Sequence, residues 1–580
     1  MTPLAGALLL PLLAAPPASD DAPWALSQVE ARLSWNGGLL RGLGLSLSHA
    51  SAPDAEGRLR VDLQGAGSLA ASAPRGVFGT ILSGEVAFAE APDLFWSGGR
   101  LSLAGARLRG GPREKTLEIL GKDGAPLFTA DHMHVNVDRQ AGRVRLYNLD
   151  LRLSPDLARR LGESRRAGLA VASLEVRAAA LIPKSSVERL EGACSNPNFG
   201  PSDVALVDLS SVTQTAREPG VRVAITPSAS LMNVGTTDVP WHAKFSGSFP
   251  PYNNDQHPFL SWNMYRVANG VFEQIGASAL KHAFFTVNSG CGCPGGDILW
   301  VGCGDTYGVG TNEDRFNLGP RSEVTAHTGV WQRCGSIFDP NCDGIEDVPP
   351  IVDEFDRRMT VAESDLQTPA ATYYVDGWYV VRDDVDIFNT MGWIEVQPVL
   401  SGGTWIFQQL TSMVHGAVVD DWVDPGSPGP NADSRLLDTG EGKLEVAVRA
   451  TDLGGGQWAY AYVISNLEFD RRIGSFEVPL PGGTSVSNVK FHDGDNDPAT
   501  DWAATVVPGD HIAWQTPTDP AAQDWGRVFT FQFQTDAAPV AGSPVTVSLG
   551  IQEPPAGSLT TPILGPSLLT PVELQRFGVE

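Results

Sequence analysis

The chain has 580 residues, 42% of them hydrophobic and 19% charged, with 63 Gly and 43 Pro. That length exceeds a single hydrophobic core and predicts about three or four domains, and so much glycine and proline favours short strands and turns over long helices. The net charge of -26 repels phosphate backbones and anionic lipid surfaces, which argues against a nucleic-acid partner.

Residues 1–18 contain an apolar run from Leu4 to Ala15, then small residues around Ala18, and read as a signal peptide cleaved near that point. No basic residue precedes the run, and Pro11 interrupts it. The mature chain is therefore expected outside the cytosol, secreted to the extracellular space or held in the periplasm. No later stretch approaches the length needed to span a bilayer, so no membrane span is expected.

Residues 19–187 read as an N-terminal antiparallel β domain. Leu59, Val61 and Leu63 alternate with Arg58, Arg60 and Asp62, and Met133, Val135 and Val137 alternate with His132, His134, Asn136 and Asp138. This period of two, with one polar face, marks sheet with a solvated side. Ser154-Pro155-Asp156 offers a helix N-cap, a proline in the first helical position and an acid in the first turn, with a stop at Gly162. The segments starting at Trp35 and Trp96, WNGGLLRGLGLSLSH and WSGGRLSLAGARLRG, hint at a weak repeat.

Composition changes near residue 190. Between residues 19 and 189 there are 22 Lys+Arg against 19 Asp+Glu; afterwards there are 19 against 48, and all six cysteines follow the change. Residues 188–435 read as a Cys-containing, loop-rich β domain. Residues 436–552 read as a C-terminal β-sandwich: Trp458, Tyr460 and Tyr462 alternate with alanines, and Phe529, Phe531 and Phe533 with polar residues. Residues 553–580 read as a flexible tail. The expected fold class is mainly β: several domains of antiparallel sheets and β-sandwiches around a disulfide-containing, loop-rich centre.

Several motifs carry a resemblance: Asp255-Gln256-His257-Pro258, Met264-Tyr265-Arg266, Phe272-Glu273-Gln274-Ile275-Gly276, Leu280-Lys281-His282-Ala283-Phe284 and Leu318-Gly319-Pro320-Arg321-Ser322-Glu323-Val324, with Val489–His492 and Asp501-Trp502 further on. Residues of about 190–535 thus resemble an uncharacterised family of exported bacterial proteins. The resemblance implies an exported location and a shared fold, and no chemistry.

Cys194, Cys291, Cys293, Cys303, Cys334 and Cys342 are even in number in a chain read as exported, which predicts three disulfides. Cys334 and Cys342 close a short loop and form the best single pair. The alternative is a thiolate zinc site on Cys291, Cys293 and Cys303, which lacks the usual CxxC spacing.

Asp339, Asn341, Asp343, Ile345 and Asp347 have the spacing of a Ca²⁺ loop, with Gly344 at the sharp turn, although Pro350 stands where a bidentate glutamate is usual. The alternative is an acidic turn pinned by the Cys342 bridge. Asp493, Asp495, Asp497 and Asp501 form a weaker version, with Pro498 in the glycine position. His257, His282 and His327 lie among the distinctive motifs, and converging imidazoles would hold a transition metal; alternatively each makes its own hydrogen bond. His132 and His134 share a strand face and read as exposed. No nucleophile elbow, phosphate loop or dinucleotide fingerprint is present. Of 15 tryptophans, 12 follow residue 190, and flat aromatic faces stack sugars, so a glycan or surface polymer is one expected partner.

Two functions follow. The first is an extracellular binding or structural protein stabilised by disulfides and calcium. The second is a secreted metalloenzyme built on the histidines, oxidative or hydrolytic. The first is preferred because a complete catalytic site should be visible in sequence and is not.

Overall fold

The computed structural model describes residues 23–54, 57–182, 194–246, 257–282, 285–495, 497–540 and 542–567. The signal peptide expected at 1–18 lies outside the described residues. The chain is mainly β, in several antiparallel sheets, and no helix among the described residues is long and apolar enough to cross a membrane.

The first unit is a closed barrel. Its sheet runs from Arg143–Leu153 through Ala170–Leu181, Trp24–Asn36, Arg58–Ala71, Ile81–Phe88, Arg107–Gly110, Leu117–Leu120 and Pro126–Asp131, then returns to Asp150–Leu153 by the register Asp131↔Asp150 and Phe128↔Leu153. Closure removes the free edges that an open sheet would expose. Apolar residues alternate inward and fill the interior, among them Trp24, Leu26, Leu33, Trp35, Val86, Phe88 and Phe128. Helix Pro155–Arg160 begins as expected: Ser154 Oγ accepts from the Leu157 amide at 3.0 Å, and Gly162 has φ +84°.

Two local expectations are corrected. The two Trp-led segments are not structural repeats. Asn36 caps a short helix, Gly37–Gly42, by accepting from Leu39, whereas Trp96 pairs across a hairpin with Gly99. The histidine strand is not solvent-facing either. His134 is fully buried, its Nε2 on the carbonyl of Thr306 and its ring against Tyr307, because the central domain covers that side of the barrel.

The central domain is built on one antiparallel sheet of 13 strands, with the long hairpin Val204–Glu218/Arg222–Asn233 beside Thr404–Gln409, Met391–Ser401 and Thr372–Val380. Both faces are buried. One packs on loops that carry Cys293 and Cys303. The other joins Phe259, Phe272, Trp331 and Trp378 to Ala461, Val463, Trp525 and Val528 of the next domain in a single apolar cluster.

The C-terminal unit is a sandwich of two five-stranded sheets. Tyr460, Tyr462, Phe476, Trp514, Phe531 and Phe533 meet between them. Here the expected tail is corrected: Gly557–Ile563 pairs in register with all of Val545–Ile551, and Ile563 is fully buried. Pro554 and Pro555 bend the chain before it, and an alternating strand follows. Residues 568–580 lie outside the described residues.

Candidate functional site

Arg321 sits on a single 3-10 turn, Arg321–Glu323, at the seam between the central sheet and the sandwich. Its Nε donates to the Ser278 carbonyl at 2.9 Å, Nη1 to the Gly526 carbonyl at 2.7 Å and Nη2 to Asn263 Oδ1 at 2.8 Å. Burial lowers its pKa to about 10. Asn263 in turn donates its amide and Nδ2 to Asp376 at 2.6 and 3.0 Å, and the Tyr265 hydroxyl donates to the same carboxylate at 2.7 Å. Gln274 completes the seam. Its Oε1 accepts from Val528 N at 3.1 Å, and its carbonyl meets His492 Nε2 at 2.9 Å. Thr530 adds a hydrogen bond to the Phe272 carbonyl at 2.7 Å. Residues of the Met264–Arg266, Phe272–Gly276, Leu318–Val324 and Val489–His492 motifs thus gather at one domain junction.

That junction leaves a cleft of about 410 Å³. Arg321, Arg357 and Arg358 line the central-domain side; Asp493, Asp495, Asp524, Arg527 and Phe529 line the other. Burial raises the pKa of Asp493 and of Asp524. Asp495 accepts from the Asp497 amide at 2.7 Å. Arg321 and Arg358 are buried and already bond protein acceptors, so Arg357, Arg527 and the exposed Asp495 are left to meet a ligand, a polar mixture that hydroxyl groups satisfy because each both donates and accepts.

The loop 339–347 is folded around its own side chains. Asp339, 1% exposed, accepts from the Gly344 amide at 3.2 Å; Asn341 accepts from Asp343 N at 3.1 Å and Asp343 from Ile345 N at 2.8 Å. The Asp347 amide returns to the Phe338 carbonyl at 2.8 Å, and Gly344 takes φ +77°. Asp339, Asp343 and Asp347 do not draw their carboxylates into one tight group. Among the described residues, the groups of three or more His, Cys, Asp or Glu whose ligand atoms lie within 4.8 Å of one another are Cys291/Cys293/Cys303 and Asp131/His132/Asp150.

Neither of those two groups is available to an ion. The cysteines are oxidised, as Cys194–Cys293 and Cys291–Cys303, with Cys334–Cys342 as the third bridge. The Cys334–Cys342 pairing is the one expected, and oxidation removes the thiolates that zinc would need. In the second group, Arg152 already bonds Asp131 at 2.7 Å and Asp150 at 2.9 Å. Asp150 also accepts from the amides of Val309 and Gly310 at 2.8 and 3.0 Å, which ties the barrel to the central domain.

The three histidines proposed from sequence are only partly brought together. His257 Nε2 lies 2.9 Å from His282 Nδ1, both rings 1% exposed against Trp331. His327 instead places Nδ1 3.2 Å from Glu468. Burial, together with Lys244 and Lys281, holds His257 down near 3 and His282 well below the usual imidazole range, so both are neutral. His257 Nδ1, His282 Nε2 and His327 Nδ1 are buried without a hydrogen-bond partner.

Sequence reading missed Arg357, Arg358, Asp524 and Arg527 as cleft residues. They carry no spacing signal, since the cleft joins positions more than a hundred residues apart in a chain rich in acids. No protein-family model and no curated protein matches the chain. Two solved structures are similar over part of it. The C-terminal domain of HtaA from Corynebacterium glutamicum has 12% identity over 27% of this chain and 99% of its own, with a TM-score of 0.18. A variant of BcpA, the major pilin subunit of Bacillus cereus, has 9% identity over 38% of this chain and 61% of its own, with a TM-score of 0.16. With scores that low, neither fixes an activity for this chain.

Proposed function

We propose that this chain is an exported binding protein, extracellular or periplasmic, that holds a hydroxyl-rich ligand such as a surface glycan in the cleft between its central domain and its C-terminal sandwich. The observation that carries this reading is the cleft itself, lined by Arg357 and Arg527 together with Asp493, Asp495 and Asp524, on a junction already fixed by Arg321 and Gln274. Preorganised walls cost little ordering when a ligand binds. Three disulfides suit export, and the 339–347 loop holds calcium in this reading, with side-chain oxygens from Asp339, Asn341, Asp343 and Asp347 and the backbone carbonyl of Ile345.

The test is a binding screen of the full chain against immobilised oligosaccharides, followed by calorimetry on the hits. Asp495→Asn and Arg357→Gln should each weaken binding at least about tenfold, the loss expected for a charge-assisted hydrogen bond. Unchanged affinity in both variants would remove the cleft from the proposal. The metalloenzyme reading rests on less, since His257 and His282 offer only two buried imidazole nitrogens while His327 lies apart from them, beside Glu468.

A further inference from the structure

A second cleft, of about 310 Å³, opens where the barrel meets the central domain, and its chemistry differs. Its walls mix apolar and polar surface, the apolar part coming from Phe78, Val135 and Val137 of the barrel and from Phe285 and Pro294 of the central domain. Phe285 remains 46% exposed despite its size. Into these walls are set two cations, Lys115 and Arg139. Arg139 donates to the Gly76 carbonyl and lies 5.3 Å from the Trp24 ring centre, yet its Nη1 is buried with no hydrogen-bond partner. No acidic group offsets the burial that lowers its pKa. Lys115 donates to Ser289 Oγ at 3.2 Å, and burial lowers its pKa against the weaker pull of Asp305 and Glu114. Asp297 also lines the cleft, at an exposed position.

A cation such as Arg139, buried with no acidic group offsetting it, is unfavourable, and an anion arriving with its own apolar body relieves both that charge and the exposed Phe285 ring. The central-domain wall is rigid. The Pro294–Asp297 loop is held by the bridges Cys194–Cys293 and Cys291–Cys303, by Asn288 Nδ2 on the Pro294 carbonyl at 2.6 Å, and by reciprocal backbone bonds between Thr286 and Gly296 at 2.9 and 3.0 Å. The barrel also belongs to the one long segment in which basic residues outnumber acidic ones, 22 to 19.

We propose that this cleft binds an amphiphilic organic carboxylate, its headgroup on Arg139 and Lys115 and its apolar body between Val137 and Phe285. Calorimetric titration of the full chain with octanoate, octanol and octylammonium, below micelle formation, tests it. Octanoate should bind at least about tenfold more tightly than the other two. Arg139→Gln should weaken octanoate binding by about the same factor, while Arg139→Lys retains most of it. Val137→Glu sets a fixed carboxylate in the cleft that both cations line without removing either, and should abolish octanoate binding with the melting temperature kept or raised. The proposal falls if octanol matches octanoate, if no heat is seen with octanoate, or if Val137→Glu still binds it. None of these variants touches the cleft at the sandwich, so the two ligand sites fail or stand separately.

Discussion

Arg321 Nη1 donates to the carbonyl of Gly526 across 2.7 Å, so one guanidinium of the central domain is bonded directly to the backbone of the sandwich. Its other bonds, to Ser278 and Asn263, stay within the central domain, and the side chain acts as a rivet. Arg321→Ala should leave the Ser278 carbonyl and Asn263 Oδ1 without this donor and the Gly526 carbonyl with only the 3.4 Å bond from Gln274 Nε2, and cost about 3–5 kcal/mol in chemical denaturation. Gly526→Ala should also destabilise, because its Cβ would stand 2.2 Å from Arg321 Nη1 at a residue with φ +67°. A denaturation midpoint unchanged in both variants would show that the rivet contributes nothing.

The barrel junction rests on a different fit. At Gly308 an added Cβ would lie 2.6 Å from Asp150 Oδ1, the carboxylate held by the amides of Val309 and Gly310. Gly308→Ala should therefore loosen the barrel from the central domain while each keeps its own core. Faster limited proteolysis at the junction, with little change in far-ultraviolet dichroism, is the expected result.

Stability should also depend on pH through one acid. Glu445, 3% exposed and hydrogen-bonded by Ser434, is pushed up to about 8 by burial and by neighbouring Asp420, itself raised by burial. Its folded pKa lies above the ordinary carboxyl value of 4.5, so the neutral form is favoured by folding. The stabilisation is complete below about pH 4.5 and is lost as pH rises towards 8. The slope is at most about 1.4 kcal/mol per pH unit for one proton. Glu445→Gln should flatten that part of the profile, measured by denaturation midpoints from pH 5 to pH 9.

If the 339–347 loop holds calcium, millimolar Ca²⁺ should raise the melting temperature and EGTA should lower it again. Asp343→Ala should remove the response, since it deletes a central oxygen ligand while leaving the Cys334–Cys342 bridge in place. A calcium-dependent shift that survives this change would move the ion to another acidic cluster.

The disulfides should differ in weight. Cys194–Cys293 joins residues 99 apart and Cys334–Cys342 residues 8 apart. In the chain-entropy account the longer loop contributes about 4–5 kcal/mol and the shorter about 2–3 kcal/mol. Paired Cys→Ser substitutions should rank in that order by denaturation, and the reverse ranking would point to native-state contacts instead.

Local pattern was enough for the antiparallel class, for the Ser154 cap, for the aromatic strands around Tyr460 and Phe531, and for the Cys334–Cys342 bridge. Each depends on residues a few positions apart, where strand period, cap chemistry and short-loop closure act directly. The closure of the barrel, the burial of His134 and the strand Gly557–Ile563 were decided by surfaces that meet only after folding. So was the split among the histidines, which sets His257 on His282 and sends His327 to Glu468. Both clefts belong to this second group, because a junction between domains draws its charges from segments hundreds of residues apart, and no periodicity connects them.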